Sequence, residues 1–393
     1  MSTWVSISVS IGGTGVCVRW QAGPMPGSIC DILPSAAALL GAPEATDRLG
    51  LPAPARRVVV LLVDGMGTHL LPAMHADAPT LAAVSSGKLG ELRELECTFP
   101  STTPTSLVSL GTGVSPGRHG VLGFTLNIPG TERVLIHIFW HDDPPPQHWQ
   151  PLPTWFHRLN TAGIPARAVL PQLFVDSGLT AAAYGGARFR GVPPDADYAI
   201  DLLAEIHAGP GLIYGYTNVL DSAAHTHGIG SPAWLAAAAH VDTLLARLLD
   251  GLPADTLLLV TADHGGLNVP AHARIDLDAD PDLAAGIAVV AGEPRVRYLH
   301  TRPGAQADVQ AAWAEKLAGR AQVFSRGAAI DAGLFGPVRD EFAARIGDVV
   351  AVATGETAIL ASAHEPPQIT DMVGFHGART DAEMAIPLIL LGG

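Results

Sequence analysis

Three apolar runs that each terminate in aspartate constrain this chain most. They are RVVVLLVDGMG (57–67), GLIYGYTNVLD (211–221) and DTLLLVTADHG (255–265). Continuous apolar runs of this length suit strands buried on both faces, as in a parallel sheet. A fourth, IPLILLGG (386–393), ends the sequence. Between them lie helical stretches such as the Ala- and Leu-rich segment Pro232–Leu249. This alternation predicts an α/β fold, a doubly wound and mostly parallel sheet with helices on both faces. Ligands in such sheets bind beyond the carboxyl ends of the strands. Three of the runs deliver aspartates to that edge.

The 393 residues, 48% of them hydrophobic, suffice for a large core. We expect one α/β domain over 25–393, with residues 1–24 a loosely attached extension. Inserted segments are expected at 125–153, where HDDPPPQHWQP interrupts regular structure, and at 267–348, read as a small lobe over the site. IGGTG near the start is not GxGxxG and does not join a clear strand to a helix, which argues against a dinucleotide site. A net charge of −14 argues against a nucleic-acid polymer surface. It does not oppose a small anionic substrate, because bound metals reverse the local field. Cys17, Cys30 and Cys97 show no CxxC spacing, so neither a zinc finger nor a disulfide framework is indicated. Residues 4–18 lack a basic leader pattern, and Ala385–Leu391 is too short to span a bilayer. The expectation is a cytoplasmic protein without a membrane span.

Five short pieces carry candidate chemistry. In FPSTTPTSLVSLGTG, Thr103 precedes Pro104 and a plausible amphipathic helix. Threonine at the N-cap and proline at the first helical position are both favoured. Thr103 would then stand where free N–H groups and the helix dipole attract phosphate. A threonine hydroxyl needs a metal or base to act as a nucleophile. Thr98, Ser101 and Thr102 are rivals, and a plain N-cap is the bland reading. Asp221 and His225 in DSAAH stand at i and i+4, on one helix face. Asp263 and His264 end a strand and are followed by glycines, so both side chains can point forward from the turn. Asp64 in VDGMG and His376 in GFHG complete the inventory. Each piece alone is better explained as a cap, a turn or a surface histidine. His227 is assigned to the surface or to the surroundings of the site, and His69, His119, His300 and His364 to ordinary structural roles.

Taken in order, the pieces resemble the alkaline phosphatase superfamily, and within it the nucleotide pyrophosphatase/phosphodiesterase branch. The motifs span residues 57–391. The resemblance implies a metal-dependent hydrolase of phosphodiester or pyrophosphate bonds in nucleotide-like substrates, with a phosphothreonine intermediate. By it, Asp221, His225 and His376 would hold one divalent ion, and Asp64, Asp263 and His264 the other. Zinc suits nitrogen and oxygen ligands without thiolate, with Mn2+, Fe2+ or Mg2+ as alternatives. In the family the nucleophile lies nine residues before a Thr-Gly pair. Here Thr112-Gly113 selects Thr103; Thr98, in the family-like TFP, lies 14 residues away. The family asparagine near the phosphate is replaced by Ser106, a candidate substrate contact. The partner expected is a small phosphate ester. Sulfatases are disfavoured because CxPxR is absent. Phosphoglycerate mutases are disfavoured because 112 residues separate His264 from His376. A phosphomonoesterase or phosphonate hydrolase is the alternative activity. A degenerate member that binds nucleotide or metal without turnover is the alternative class.

Overall fold

A computed structural model describes residues 3–12, 15–23 and 27–392, with side chains from residue 27 onward. Thr3–Gly12 and Gly15–Gly23 pair as an antiparallel hairpin. The attachment of the expected extension at 1–24 lies outside the described residues.

Eight strands form the central sheet: β1 (Gly27–Ser28), β2 (Arg57–Val63), β3 (Glu91–Glu96), β4 (Ala166–Pro171), β5 (Arg188–Val192), β6 (Gly211–Thr217), β7 (Thr256–Thr261) and β8 (Ala385–Gly392). Their spatial order is β1-β3-β8-β7-β2-β6-β4-β5. Seven run the same way; β8 runs against its neighbours β7 and β3. Helices flank the sheet. Three organise the site: α1 (Thr103–Thr112), α2 (Val219–His227) and α3 (Pro232–Gly251). The four apolar runs of the sequence are therefore β2, β6, β7 and β8, packed side by side in the middle of the sheet. Val58 to Val63 are all fully buried, as strands covered on both faces require. Among the described residues no helix is long and apolar enough to cross a membrane.

Register decides where the strands deliver their ends. Val63 pairs with Thr217 and Leu62 with Thr261. Continuing the second pairing by two residues sets Asp64 beside Asp263. The turns that follow pack backbone against backbone. A Cβ on Gly67 would lie 2.5 Å from the Cα of Gly265. Gly65 has φ of +73°, and a side chain there would meet Asp221 at 2.9 Å. Glycine is required on both counts, conformational and steric.

The expected lobe contains a four-stranded antiparallel sheet of Ile287–Glu293, Val296–Thr301, Val349–Ala353 and Ala321–Ser325, in that spatial order. Its last strand in the chain runs to Ala353, beyond the expected edge at 348. The helix Gln306–Lys316 belongs to a separate apolar cluster centred on Trp313 and Leu299. In the other expected insertion a short hairpin, Thr125–Asn127 with Val134–Ile136, leans on the lobe, where the Thr125 hydroxyl donates to the Gly292 carbonyl at 2.8 Å. The proline run there does not exclude helix entirely. Pro146 opens a four-residue turn, Pro146–Trp149, because an initial proline forfeits no intrahelical bond.

One buried ion pair braces lobe, sheet and site loop. Arg295 and Glu383 are both fully enclosed and meet in a fork at 2.9 and 2.8 Å. Glu383 also accepts the N–H of Ala378 at 2.9 Å, while its own carbonyl accepts the N–H of Gly265 at 2.9 Å. Removing one member leaves the other charge buried alone, typically about 3–5 kcal/mol. Glu383→Gln is expected to lose about that much in urea denaturation. The double variant with Arg295→Met should recover part of it. Additive losses in the double variant would show that the pair is not the brace.

Candidate metal centre and nucleophile

The six predicted ligands come from four segments at the carboxyl edge of the sheet. Asp64 follows β2, Asp221 and His225 lie on α2, Asp263 and His264 follow β7, and His376 follows the short strand Gly374–Phe375. Asp64, Asp263 and His264 offer ligand atoms within 4.8 Å of one another, as do Asp221, His264 and His376. His225 Nε2 lies 3.0 Å from Asp221 Oδ2 and 3.3 Å from His376 Nε2. The structure thus brings all six into one cluster. His264 stands between the two expected groups, stacked on His376 with ring centroids 3.6 Å apart.

The three imidazoles are oriented alike. Nδ1 of His225 faces the Gly374 carbonyl, Nδ1 of His264 the Gly265 carbonyl, and Nδ1 of His376 the Ser101 carbonyl, each at 2.8 Å. A carbonyl only accepts, so each Nδ1 carries a proton and each Nε2 turns inward, where its lone pair is available to a cation once that nitrogen is deprotonated. Backbone anchoring of this kind fixes tautomer and ring orientation in metal-ligating histidines. Oδ1 of Asp64 and Oδ2 of Asp263 are buried without a hydrogen-bond partner. Inward lone pairs and unpaired carboxylate oxygens are repulsive among themselves. They fit a cation set between them, and the nitrogen and oxygen donor set suits zinc.

Electrostatics of the protein atoms alone express the same conflict. Burial, and Asp64 beside it, push Asp263 up to about 8. Burial opposes protonation of His225, yet Asp221 prevails and raises it to about 9. His264 is likewise raised against its burial by Asp263 and Asp64. Burial and the neighbouring His264 hold His376 well below the usual histidine range. Burial opposes ionisation of Asp221, but His225 and His376 hold it below the usual carboxylate range.

Thr103 is the one residue between 97 and 112 that is not buried. Its Oγ1 lies 3.2 Å from His264 Nε2. The rivals are occupied or enclosed. The Thr98 hydroxyl lies 3.2 Å from that of Ser109. The Ser101 hydroxyl donates to the Ala378 carbonyl at 2.7 Å and accepts from the Gly377 N–H at 3.1 Å. Thr102 is fully buried. The cap, however, sits one residue earlier than expected. Thr102 is the N-cap, in extended conformation (φ −138°, ψ 146°), and Thr103 is the first helical residue. This turns the Thr103 hydroxyl outward to the cluster instead of back onto the helix amides. Ser106 departs further from expectation. It is fully buried, its hydroxyl has no hydrogen-bond partner, and it does not line the cavity. A direct substrate contact by Ser106 is unsupported by this placement, since a residue one turn into a buried helix faces the core.

The remaining histidines keep structural or surface positions. His119 is fully buried against the Ser109 hydroxyl at 2.9 Å, His364 pairs with Asp278 at 3.1 Å, and His227 is exposed. Two participants were not anticipated. The Tyr216 hydroxyl donates to Oδ2 of Asp64. Glu293 lines the same cavity as Thr103 with its Oε1 buried and unpartnered, and burial lifts its pKa to about 8. Tyr216 sits inside an apolar strand and reads as core. Glu293 ends a lobe strand far from every motif, so no sequence signal marks it.

Solved structures share this architecture. Murine ectonucleotide pyrophosphatase/phosphodiesterase 5 is 19% identical, with 86% of this chain and 88% of that chain covered at a TM-score of 0.67. The same murine protein, inactive and in complex with AMP, aligns at 18% identity over 86% and 88% of the two chains, with a TM-score of 0.67. Phosphonoacetate hydrolase from Sinorhizobium meliloti 1021, in complex with phosphonoformate, is 21% identical over 86% and 90%, with a TM-score of 0.65. No curated protein sequence matches the chain. The family model described as type I phosphodiesterase/nucleotide pyrophosphatase matches residues 58–379. The chain therefore belongs to the type I phosphodiesterase/nucleotide pyrophosphatase family, on the alkaline phosphatase superfamily fold.

Proposed function

We propose that the chain is a metal-dependent hydrolase of phosphodiester or pyrophosphate bonds in nucleotide-like substrates, with Thr103 as the nucleophile. The observation that carries this reading is the hydroxyl of Thr103, the one hydroxyl between residues 97 and 112 that is not buried, at 3.2 Å from His264 Nε2 on the rim of a six-ligand cluster. Asp221, His225 and His376 would hold one divalent ion and Asp64, Asp263 and His264 the other. Bound there, such ions supply Lewis acidity to the attacking and leaving oxygens and lower the pKa of the hydroxyl. Thr103 Oγ1 attacks phosphorus as its proton is lost. The P–O bond to the alcohol or nucleotide breaks and its leaving oxygen takes up a proton, so that Thr103 Oγ1 is left esterified to a phosphoryl group that keeps its other substituent; water then cleaves the Oγ1–P bond, restoring the hydroxyl and releasing the phosphomonoester. The Ser106 N–H closes the first helical bond on the Thr102 carbonyl at 3.0 Å. With Pro104 lacking a donor, the N–H groups of Thr103 and Thr105 are those of the first turn aimed at incoming negative charge. Tyr216 orients Asp64, and the three backbone carbonyls hold the imidazoles. A phosphonate hydrolase is the second reading, supported by the phosphonoformate complex among the similar structures.

With zinc supplied, Thr103→Ala is expected to lose about a thousandfold in turnover of an aryl phosphodiester. Thr103→Ser should retain most of it, and neither variant should change the melting temperature appreciably. An alanine variant of undiminished rate would remove Thr103 from the chemistry. Parallel rates on a phosphonate decide between the two readings.

Metal binding should displace protons. Without a cation, Asp263 keeps its proton up to about pH 8 and His225 up to about pH 9. Ligands bind only in their deprotonated forms. Zinc affinity is therefore expected to rise with pH across that range, with net proton release in calorimetry repeated in buffers of different ionisation enthalpy. Proton uptake, or no buffer dependence, would contradict the ligand assignment.

A further inference from the structure

The cavity that holds Thr103 and the metal ligands has a volume of about 250 Å³. Its walls other than the ligands divide into an apolar side, Phe124, Ile138, Phe174, Ile369, Met372 and Phe375, and a polar one of Tyr216, Asn218, Ser222 and Glu293. Neither lysine nor arginine lines it. Four of those residues, Phe124, Ile138, Ile369 and Met372, are also walls of a second cavity of about 510 Å³. The two spaces are thus neighbours separated by shared side chains. The larger one is walled by the hairpin residues Val134 and Ile136, by Phe139, and by Val289, Val290 and Ala291 of the lobe. One lobe strand serves both, since Ala288 to Ala291 face the larger space and Glu293, at its end, faces the smaller.

Polar groups at the larger cavity are spent or peripheral. Arg297 is the only cation among its described lining residues apart from His364, and it is forked onto Glu365 at 2.6 and 2.7 Å. The Thr125 hydroxyl is committed to the Gly292 carbonyl. Glu132, His364 and Gln368 are exposed, at the rim. A second phosphate of a pyrophosphate substrate would find an acid, Glu293, and no free cation. A nucleobase would find few interior donors or acceptors for its edge. Exposed large hydrophobic residues also gather here. Four are exposed among the described residues, and two of them, Ile138 and Phe139, belong to this wall. Large exposed apolar surface at a site signals an apolar ligand.

We propose that the larger cavity takes a long aliphatic chain of the substrate, so that the preferred ester is a phosphodiester with one aliphatic alcohol rather than a nucleoside pyrophosphate. This rests on the phosphodiester-hydrolase reading given above and replaces its nucleotide-like substrate with an alkyl phosphodiester. The phosphate sits at Thr103, and the chain passes Phe124 and Ile138 into the space between hairpin and lobe.

A homologous series of 4-nitrophenyl alkyl phosphodiesters, methyl to dodecyl and below micellar concentrations, tests this on the zinc-loaded full chain. kcat/KM is expected to rise about two- to fourfold per methylene until the cavity is filled. The decyl-to-methyl ratio should fall at least tenfold in Ile136→Lys and, more mildly, in Ile136→Gln. Alkyl phosphate binding to Thr103→Ala gives an independent reading by calorimetry. Decyl phosphate should show a distinctly more negative heat-capacity change than methyl phosphate. A series that is flat with chain length, or a preference for the 4-nitrophenyl ester of thymidine 5′-phosphate over the decyl ester, overturns the inference while leaving the hydrolase reading intact. Should no member of the series be cleaved, the hydrolase reading fails, and the calorimetric comparison alone then decides the chain site.

Discussion

The parallel register of β2, β6 and β7 is the constraint on which the site depends. Val63 opposite Thr217 and Leu62 opposite Thr261 place three strand ends at one level. Asp64 and Asp263 then leave the sheet side by side, and α2 starts close enough for Asp221 to touch Gly65. Two buried carboxylates so placed repel each other, Asp64 contributing to the raised pKa of Asp263, and neither can move away without shifting a strand that is buried from Val58 to Val63 or from Thr256 to Thr261. The repulsion is built into the sheet. The histidines, by contrast, are aimed by backbone carbonyls of the loops. Strand register sets the charge and loop backbone sets the direction of the lone pairs.

The brace between Arg295 and Glu383 explains how a lobe remote in sequence can fix a loop of the catalytic edge. Glu383 reaches the His376 loop through Ala378 and the turn after β7 through Gly265. Ser101 performs the matching task from the nucleophile side, exchanging bonds with Gly377 and Ala378 while its carbonyl receives His376 Nδ1. A hydroxyl that looks chemically eligible in the sequence is thus a structural fastener.

Much of this was legible in the residues, for identifiable reasons. Apolar runs ending in aspartate mark buried parallel strands because only such strands exclude polar residues from both faces. The i, i+4 spacing of Asp221 and His225 survives as a contact because α2 is a regular helix. What the residues did not reveal depends on long-range packing. The cap fell on Thr102 because its extended backbone lets Thr103 begin the helix. Ser106 looked eligible by spacing, but helix rotation turns it into the core. Tyr216 resembled any strand aromatic, and its hydroxyl contact with Asp64 exists only once β6 lies beside β2. Glu293 comes from a lobe whose position over the site no local pattern encodes.

The burial of the segment around Thr103 has a further consequence. Between residues 97 and 112 the chain carries eight hydroxyls of similar intrinsic reactivity, and all but one are enclosed. On the proposed reading, packing rather than chemistry selects the reacting oxygen. The same enclosure insulates it afterwards. A phosphoryl group on Thr103 would have hydroxyl neighbours on both sides in sequence, yet Thr102 and Thr105 are fully buried, so neither could receive it by migration without leaving the core. Solvent would remain the only acceptor, and the direction of the second half-reaction would be settled by the fold of the first turn of one helix.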